Sequence, residues 1–205
     1  MGFYERRVLP RFVELTCGQK GFEKWRRRAT EGLTGEVVEI GFGSGLNLSL
    51  YPPEVSTIYA VEPSEGARRI ARRRLDATSA NVEFVGLDGQ SLPLDDASCD
   101  AALCTFTLCT IADPARALSE VLRVLRPGGS LHFLEHGRAD DPGVVAWQRR
   151  LEPLQRRVAG GCHLTRVPDE LARAAGFEVV VSHRKFARGP KPWSFFTVGI
   201  ATKPA

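Results

Sequence analysis

One segment limits the possible folds more than any other: Val37-Val38-Glu39-Ile40-Gly41-Phe42-Gly43-Ser44-Gly45-Leu46-Asn47, a β-branched apolar run that passes through an acid into three alternate glycines. A short apolar run bounded by such a turn reads as a buried strand. Glycines at this spacing let the backbone turn through otherwise strained dihedrals and leave no Cβ between the main chain and a ligand. Thr57-Ile58-Tyr59-Ala60-Val61 reads as a second strand, and the acid that ends it, Glu62, lies 21 positions after Gly41. An adjacent parallel strand would deliver an acid at that distance to a ribose. The two strands and two acids predict one nucleoside pocket.

The glycine pattern and the charges select the nucleoside. A dinucleotide loop needs G-x-G-x-x-G, and here the third glycine is replaced by Leu46. Glu39 beside the loop would repel a pyrophosphate, whereas S-adenosylmethionine carries no phosphate and has a cationic sulfonium and ammonium. Charge sign therefore points to the methyl donor as cofactor.

Beyond the loop, strands at 36–40, 57–61, 82–85, 100–104 and 130–134 alternate with a short helix from Leu46, a helix from Ser64 to Asp76, and one that starts after Asp113-Pro114 and ends at Arg126-Pro127-Gly128-Gly129. Ser64 suits an N-cap, and Pro114 suits a first turn. Residues 4–30 are amphipathic and predict a helical cap ended by Gly32 and Gly35. Residues 139–167 break the rhythm and predict a helical lid, followed by a final helix and strands near 177–182 and 194–202. Such alternation implies an α/β, Rossmann-like, doubly wound and mostly parallel sheet whose ligands bind beyond the carboxyl ends of the strands. Those ends are Gly41–Gly45, Glu62 with Pro63, Asp88–Gln90, Thr105–Thr110 and Glu135–Gly137.

With 205 residues, 43% of them hydrophobic, the chain can bury one substantial core, so a single domain over 1–205 is expected. No apolar run reaches the length of a bilayer span, and the start from Met1 to Arg7 lacks both a signal peptide and, with Arg6 at its sixth position, an acylation signal. A cytoplasmic protein is expected. Five cysteines with no C-x-x-C pair suit a reducing compartment and supply neither a disulfide framework nor a zinc knuckle, so no metal is expected. Net charge is +4, with Arg-rich clusters at 24–28, 68–74 and 149–157. These lack interleaved aromatic platforms, which favours solvated helix faces over a nucleic-acid surface. Contact of the 149–157 patch with anionic membrane headgroups stays open.

These motifs resemble the class I S-adenosylmethionine-dependent methyltransferases. Glu39–Gly45 is similar to the family's first motif, Glu62 to its ribose acid, Gly86-Leu87-Asp88 to its adenine-side motif and Arg123–Gly129 to its pre-strand turn. Within the superfamily, Cys104–Cys109, Phe133–His136 and Gly161–Arg166 resemble the methyltransferase-like thiol methyltransferases. The resemblance implies seven strands with an antiparallel last strand and a small-molecule acceptor such as a thiol. Quinone or phospholipid-headgroup methylation, or donor binding without turnover, are the alternatives. Phe42 and His163 depart from the residues usual in that subgroup. Its animal members carry a hydrophobic N-terminal anchor where this chain has the charged 4–30 segment, so membrane residence is not expected to transfer.

For the donor, the candidate residues are Glu39, Gly41, Gly43, Gly45, Asn47, Glu62, Pro63, Asp88, Gly89, Gln90 and Thr105. Glu62 is expected to accept the ribose hydroxyls and Asp88 the adenine amino group, with the Gly89 and Gln90 amides nearby. Glu39 and the glycine backbone would hold the methionine end. If the acceptor is a thiol, a neighbouring cation favours the thiolate; His136 and Arg166 are the catalytic candidates, with Arg166 alternatively a lid anchor paired to Glu135 or Asp169. Thr107 is a further strand-end candidate, His132 reads as structural and His183 as surface, and Cys104 and Cys109 read as core.

Overall fold

The computed structural model describes residues 2–205. Met1, and with it the Met1-Gly2 start weighed above as an acylation signal, lies outside the described residues. The strands are β1 (Gly35–Ile40), β2 (Val55–Val61), β3 (Val82–Gly86), β4 (Cys99–Thr105), β5 (Leu125–His136), β6 (Glu178–Phe186) and β7 (Phe195–Thr202). They form one sheet in the order β3-β2-β1-β4-β5-β7-β6. Every pairing from β3 through β5 is parallel, and β7 runs antiparallel to both its neighbours. The strand order reverses between β1 and β4, the topological switch point at which such sheets open a crevice.

The β-branched strands bury both faces, and alternate residues serve opposite layers. Val37, Leu103, Leu134 and Val198 pack with Trp25, Ala29 and Leu33 on one side. Val38, Ala102, Cys104 and Phe133 pack on the other with Leu118, Val121 and Ala172. The helices behind these residues are α2 (Lys20–Thr30), α4 (Pro114–Val124) and α6 (Pro168–Ala174). On the β1–β2 flank lies α3 (Glu65–Leu75), whose N-cap Ser64 accepts from the Ala67 amide at 3.2 Å.

Several boundaries differ from the sequence reading. The 4–30 segment is not one helix: a π-type turn at Tyr4–Val8 and α1 (Leu9–Cys17) are separated from α2 by Gly18 and an extended Gln19. The helix expected from Leu46 is one short turn, Leu48–Leu50. The α4 helix stops at Val124, because Arg126-Pro127-Gly128-Gly129 is already the turn that opens β5. There Gly128 has φ 77°, and the Gly128 and Lys203 amides donate to the carbonyls of Lys203 and Gly129. The 139–167 segment holds α5 (Pro142–Val158), started by Asp141, which accepts from the Val144 amide. A short helix not anticipated, α7 (Lys191–Ser194), precedes β7.

Candidate active site

The switch point opens into a cavity of about 480 Å³, floored by the ends of β1, β2 and β4 and roofed by α1 and α2. Gly41 and Gly43 have φ 74° and 60°, and a Cβ on Gly41 would lie 2.0 Å from Thr107 Oγ1, so a side chain would wedge the β1 loop away from the β4 loop. Gly89 approaches as closely: its Cβ would sit 2.6 Å from Ile40 Cγ2. Only glycine allows these three loops to meet.

Glu62 is buried at the tip of β2 and lines the cavity. One carboxylate oxygen accepts from the Gly43 amide at 2.7 Å and the other from the Ser64 amide at 2.7 Å, which leaves each a lone pair. Burial raises its pKa against the pull of those two amides. Pro63, Asp88, Gly89 and Gln90 complete this side of the cavity. Asp88 Oδ1 accepts from both the amide and the side chain of Gln90, each at 2.9 Å, and the side-chain bond leads in holding its pKa below the usual range. The Gln90 amide, anticipated as a donor to ligand, is therefore engaged within its own loop.

Three anticipated donor residues, Glu39, Gly45 and Asn47, do not reach the cavity. Glu39 Oε1 accepts from Asn47 Nδ2 at 2.6 Å and Oε2 from the Tyr51 hydroxyl at 2.8 Å, so the carboxyl is an anchor beneath the loop. Arg26 closes the same network, donating through Nη1 to Asn47 Oδ1 (2.8 Å) and Thr105 Oγ1 (3.0 Å) and through Nη2 to the Cys17 carbonyl. Arg26 lines the cavity although only 5% exposed, and its Nε is buried without a partner among the described residues. The 24–28 cluster is thus not wholly a solvated face. Helical spacing places Arg26 on the same turn as buried Trp25 and Ala29, a signal masked by the neighbouring exposed Arg27.

On the β4 side, Thr105, Phe106, Thr107 and Thr110 line the cavity. Phe106 has φ 55°, a strained value for an aromatic residue, held by packing on Phe22 and Phe196 with the Arg26 guanidinium 5.3 Å above its ring. Buried Glu135 gathers the Thr107, Leu108 and Cys109 amides at 2.7, 3.0 and 3.3 Å. Neither His136 nor Arg166 lines the cavity. His136 Nε2 lies 3.0 Å from Cys162 Sγ. Arg166 Nη1 donates to the carbonyls of Leu108 and Ile111 at 2.6 and 2.7 Å, so it is an anchor, with main-chain partners in place of Glu135 or Asp169. His132 is structural, its Nδ1 meeting the Ala29 carbonyl at 3.0 Å. His183 is partly exposed, edge-on to Trp25, and Cys104 and Cys109 are buried. Of the 139–167 segment only Ala159 and Gly160 touch the cavity; the roof comes from the N-terminal helices.

A switch-point cavity with an acid on the second strand, a first loop without the dinucleotide glycine spacing and glycines where a ligand must lie against the backbone defines a nucleoside-binding Rossmann-like enzyme. Residues 38–133 match the family described as a methyltransferase domain. Thiol S-methyltransferase TMT1B of Homo sapiens is 33% identical over 180 residues, covering 82% of this chain and 71% of that protein. Demethylmenaquinone methyltransferase of Clavibacter sepedonicus is 36% identical over 124 residues, covering 58% of this chain and 50% of that one. The crystal structure of a SAM-dependent methyltransferase of Thermotoga maritima superposes with TM-score 0.70 at 26% identity, covering 98% and 97% of the two chains. The chain belongs to the class I S-adenosylmethionine-dependent methyltransferases, and S-adenosylmethionine is its cofactor. The cavity suits that molecule in size and in offering buried Glu62 at the tip of the second strand.

Proposed function

We propose that the chain methylates a small apolar molecule, a thiol before others, inside this cavity. The observation that carries this reading is the cavity's composition. Glu62 and Asp88 stand on the β2–β3 side, and an apolar wall of Leu9, Pro10 and Val13 comes down from the cap. Glu62 would hold the ribose and Asp88 the adenine amino group. The methionine end would lie on Gly41 and Gly43, with its carboxylate toward the unpartnered Nε–H of Arg26. The donor supplies an electrophilic methyl on a good leaving group, so the protein's part is to hold a nucleophile in line with it. His136 and Arg166 then act by fixing the walls. Thiol methylation by relatives at about one-third identity supports the choice of acceptor.

The exposed Phe12 and Leu15 on α1, beside exposed Arg11, favour a second reading. There the rim rests on a membrane surface and the acceptor is a membrane-soluble quinone. No helix among the described residues is long and apolar enough to cross a membrane. The free cysteines suit a reducing compartment, and we place the chain in the cytoplasm. Mass spectrometry after incubation with labelled donor and a panel of thiols, quinones and amines tests both readings. S-methylated product with matching S-adenosylhomocysteine is expected; a methylated quinone with no thiol product would transfer the assignment to the second reading.

A further inference from the structure

Behind the cavity wall, three metal-ligating side chains from three separate segments converge. Cys109 belongs to the loop after β4, His136 is the last residue of β5, and Cys162 lies in the loop after α5. Their ligand atoms all lie within 4.8 Å of one another, and His136 Nε2 is 3.0 Å from Cys162 Sγ. The loops that carry them are fixed independently. The His163 amide donates to the Cys109 carbonyl at 2.7 Å, Glu135 holds the Cys109 amide, and Arg166 bridges the carbonyls of Leu108 and Ile111. Both thiols are buried, and His136 Nδ1 is buried without a partner among the described residues.

We propose that Cys109, His136 and Cys162 form a binding site for a thiophilic divalent cation of the zinc type. Zinc bonds of about 2.3 Å to sulfur and about 2.0–2.1 Å to nitrogen set neighbouring ligand atoms of a tetrahedron roughly 3.5 Å apart, and the separations here, from 3.0 Å between His136 and Cys162 to within 4.8 Å for the whole set, bracket that spacing. Two thiolates balance a divalent charge, which a buried site needs, and a sulfur and imidazole set selects zinc over magnesium or calcium. The imidazole can present either ring nitrogen after a ring flip, and coordination offsets the cost of burying it underpaired. Three protein ligands leave a tetrahedral ion one position for water or another small ligand. Thr110 and Gly160, neighbours of the cluster in the chain, line the donor cavity, so the ion would brace the wall where the β4 and α5 loops meet. None of this depends on which acceptor is methylated.

The test loads the reduced full-length chain with Zn²⁺, removes excess by dialysis and measures bound metal by mass spectrometry. Co²⁺ loading reports the ligands through thiolate charge-transfer absorption and tetrahedral d–d bands. About one ion per chain is expected, with both signatures lost in Cys109→Ser and Cys162→Ser and kept in Cys99→Ser, whose thiol is buried elsewhere in the core. If the serine variants fail to fold, wild-type protein gives the answer: Zn²⁺ should protect Cys109 and Cys162, and not Cys17, from alkylation under mild denaturation. The proposal is overturned by a reduced chain that retains no zinc, by a cobalt spectrum without thiolate bands, or by alkylation of Cys109 and Cys162 unchanged by Zn²⁺. Donor affinity measured on the same preparations reads the methyltransferase assignment separately.

Discussion

Glu39 and Glu62 each accept two hydrogen bonds, from side chains beneath the loop for Glu39 and from main-chain amides at the cavity for Glu62, and so divide the work of one site. Glu62 faces the cavity with lone pairs to spare, so Glu62→Ala should weaken S-adenosylmethionine binding tenfold or more, since hydrogen bonds to a charged group contribute about 1.5–3 kcal/mol. Isothermal titration checks this, and undiminished affinity would remove Glu62 from the donor site. Glu39 is buried beneath the loop, and burial pushes its pKa up to about 7 against the Asn47 and Tyr51 hydrogen bonds and the Arg26 charge. An acid raised in the folded state binds more protons there than in the unfolded chain. Its stabilising contribution is complete below the ordinary carboxyl range and is lost as pH rises through about 7. The isosteric Glu39→Gln variant should lie within about 1 kcal/mol of the wild type near pH 5 and exceed it at pH 8 by roughly 3 kcal/mol. Urea unfolding of the ligand-free protein across that range decides it; parallel curves would mean the Glu39 carboxyl is ionised throughout.

At the scale of elements, the cap is fastened to the donor loop by a small polar cluster. Arg74 on α3 donates to the Ser44 carbonyl at 3.0 Å and to Glu14 of α1 at 2.7 Å, and the Ser44 hydroxyl also bonds Glu14. Arg74 and Glu14 are partly exposed, so the pair contributes at most about 1 kcal/mol to global stability. Its larger effect is local, because α1 carries few other contacts to the body of the fold. Arg74→Ala should therefore raise amide hydrogen exchange over residues 9–17 while the central strands keep their protection. Uniform protection in the variant would show that the roof is held by its apolar contacts alone. The sequence showed the amphipathic face of this segment but not its division, since Gly18 and Gln19 break the helix only to let α1 follow the cavity while α2 follows the sheet.

For the whole molecule, ligand binding and folding are linked through the switch-point crevice. S-adenosylmethionine at one hundred times its dissociation constant should stabilise the native state by about 2.7 kcal/mol. That corresponds to a rise in Tm of about 5–10 °C for a domain of this size. Differential scanning fluorimetry should show the shift with S-adenosylmethionine and S-adenosylhomocysteine and none with NAD; the reverse pattern would contradict the donor assignment. Alternation of β-branched runs with capped helices, together with glycines that no other residue can replace, was enough to specify a doubly wound sheet and the edge on which its ligand binds. Periodicity and backbone sterics are local, and a chain carries them openly. Long-range pairing is not local. Arg26 looked like one more arginine in a solvated cluster until α2 packed against β4 and buried it. Glu39 was held away from the cavity by Asn47 and Tyr51, and His136 and Arg166 were drawn behind its wall. Cys109, His136 and Cys162, more than twenty residues apart at each step and without any metal-binding spacing, meet only because β4, β5 and the loop after α5 end at the same place in three dimensions.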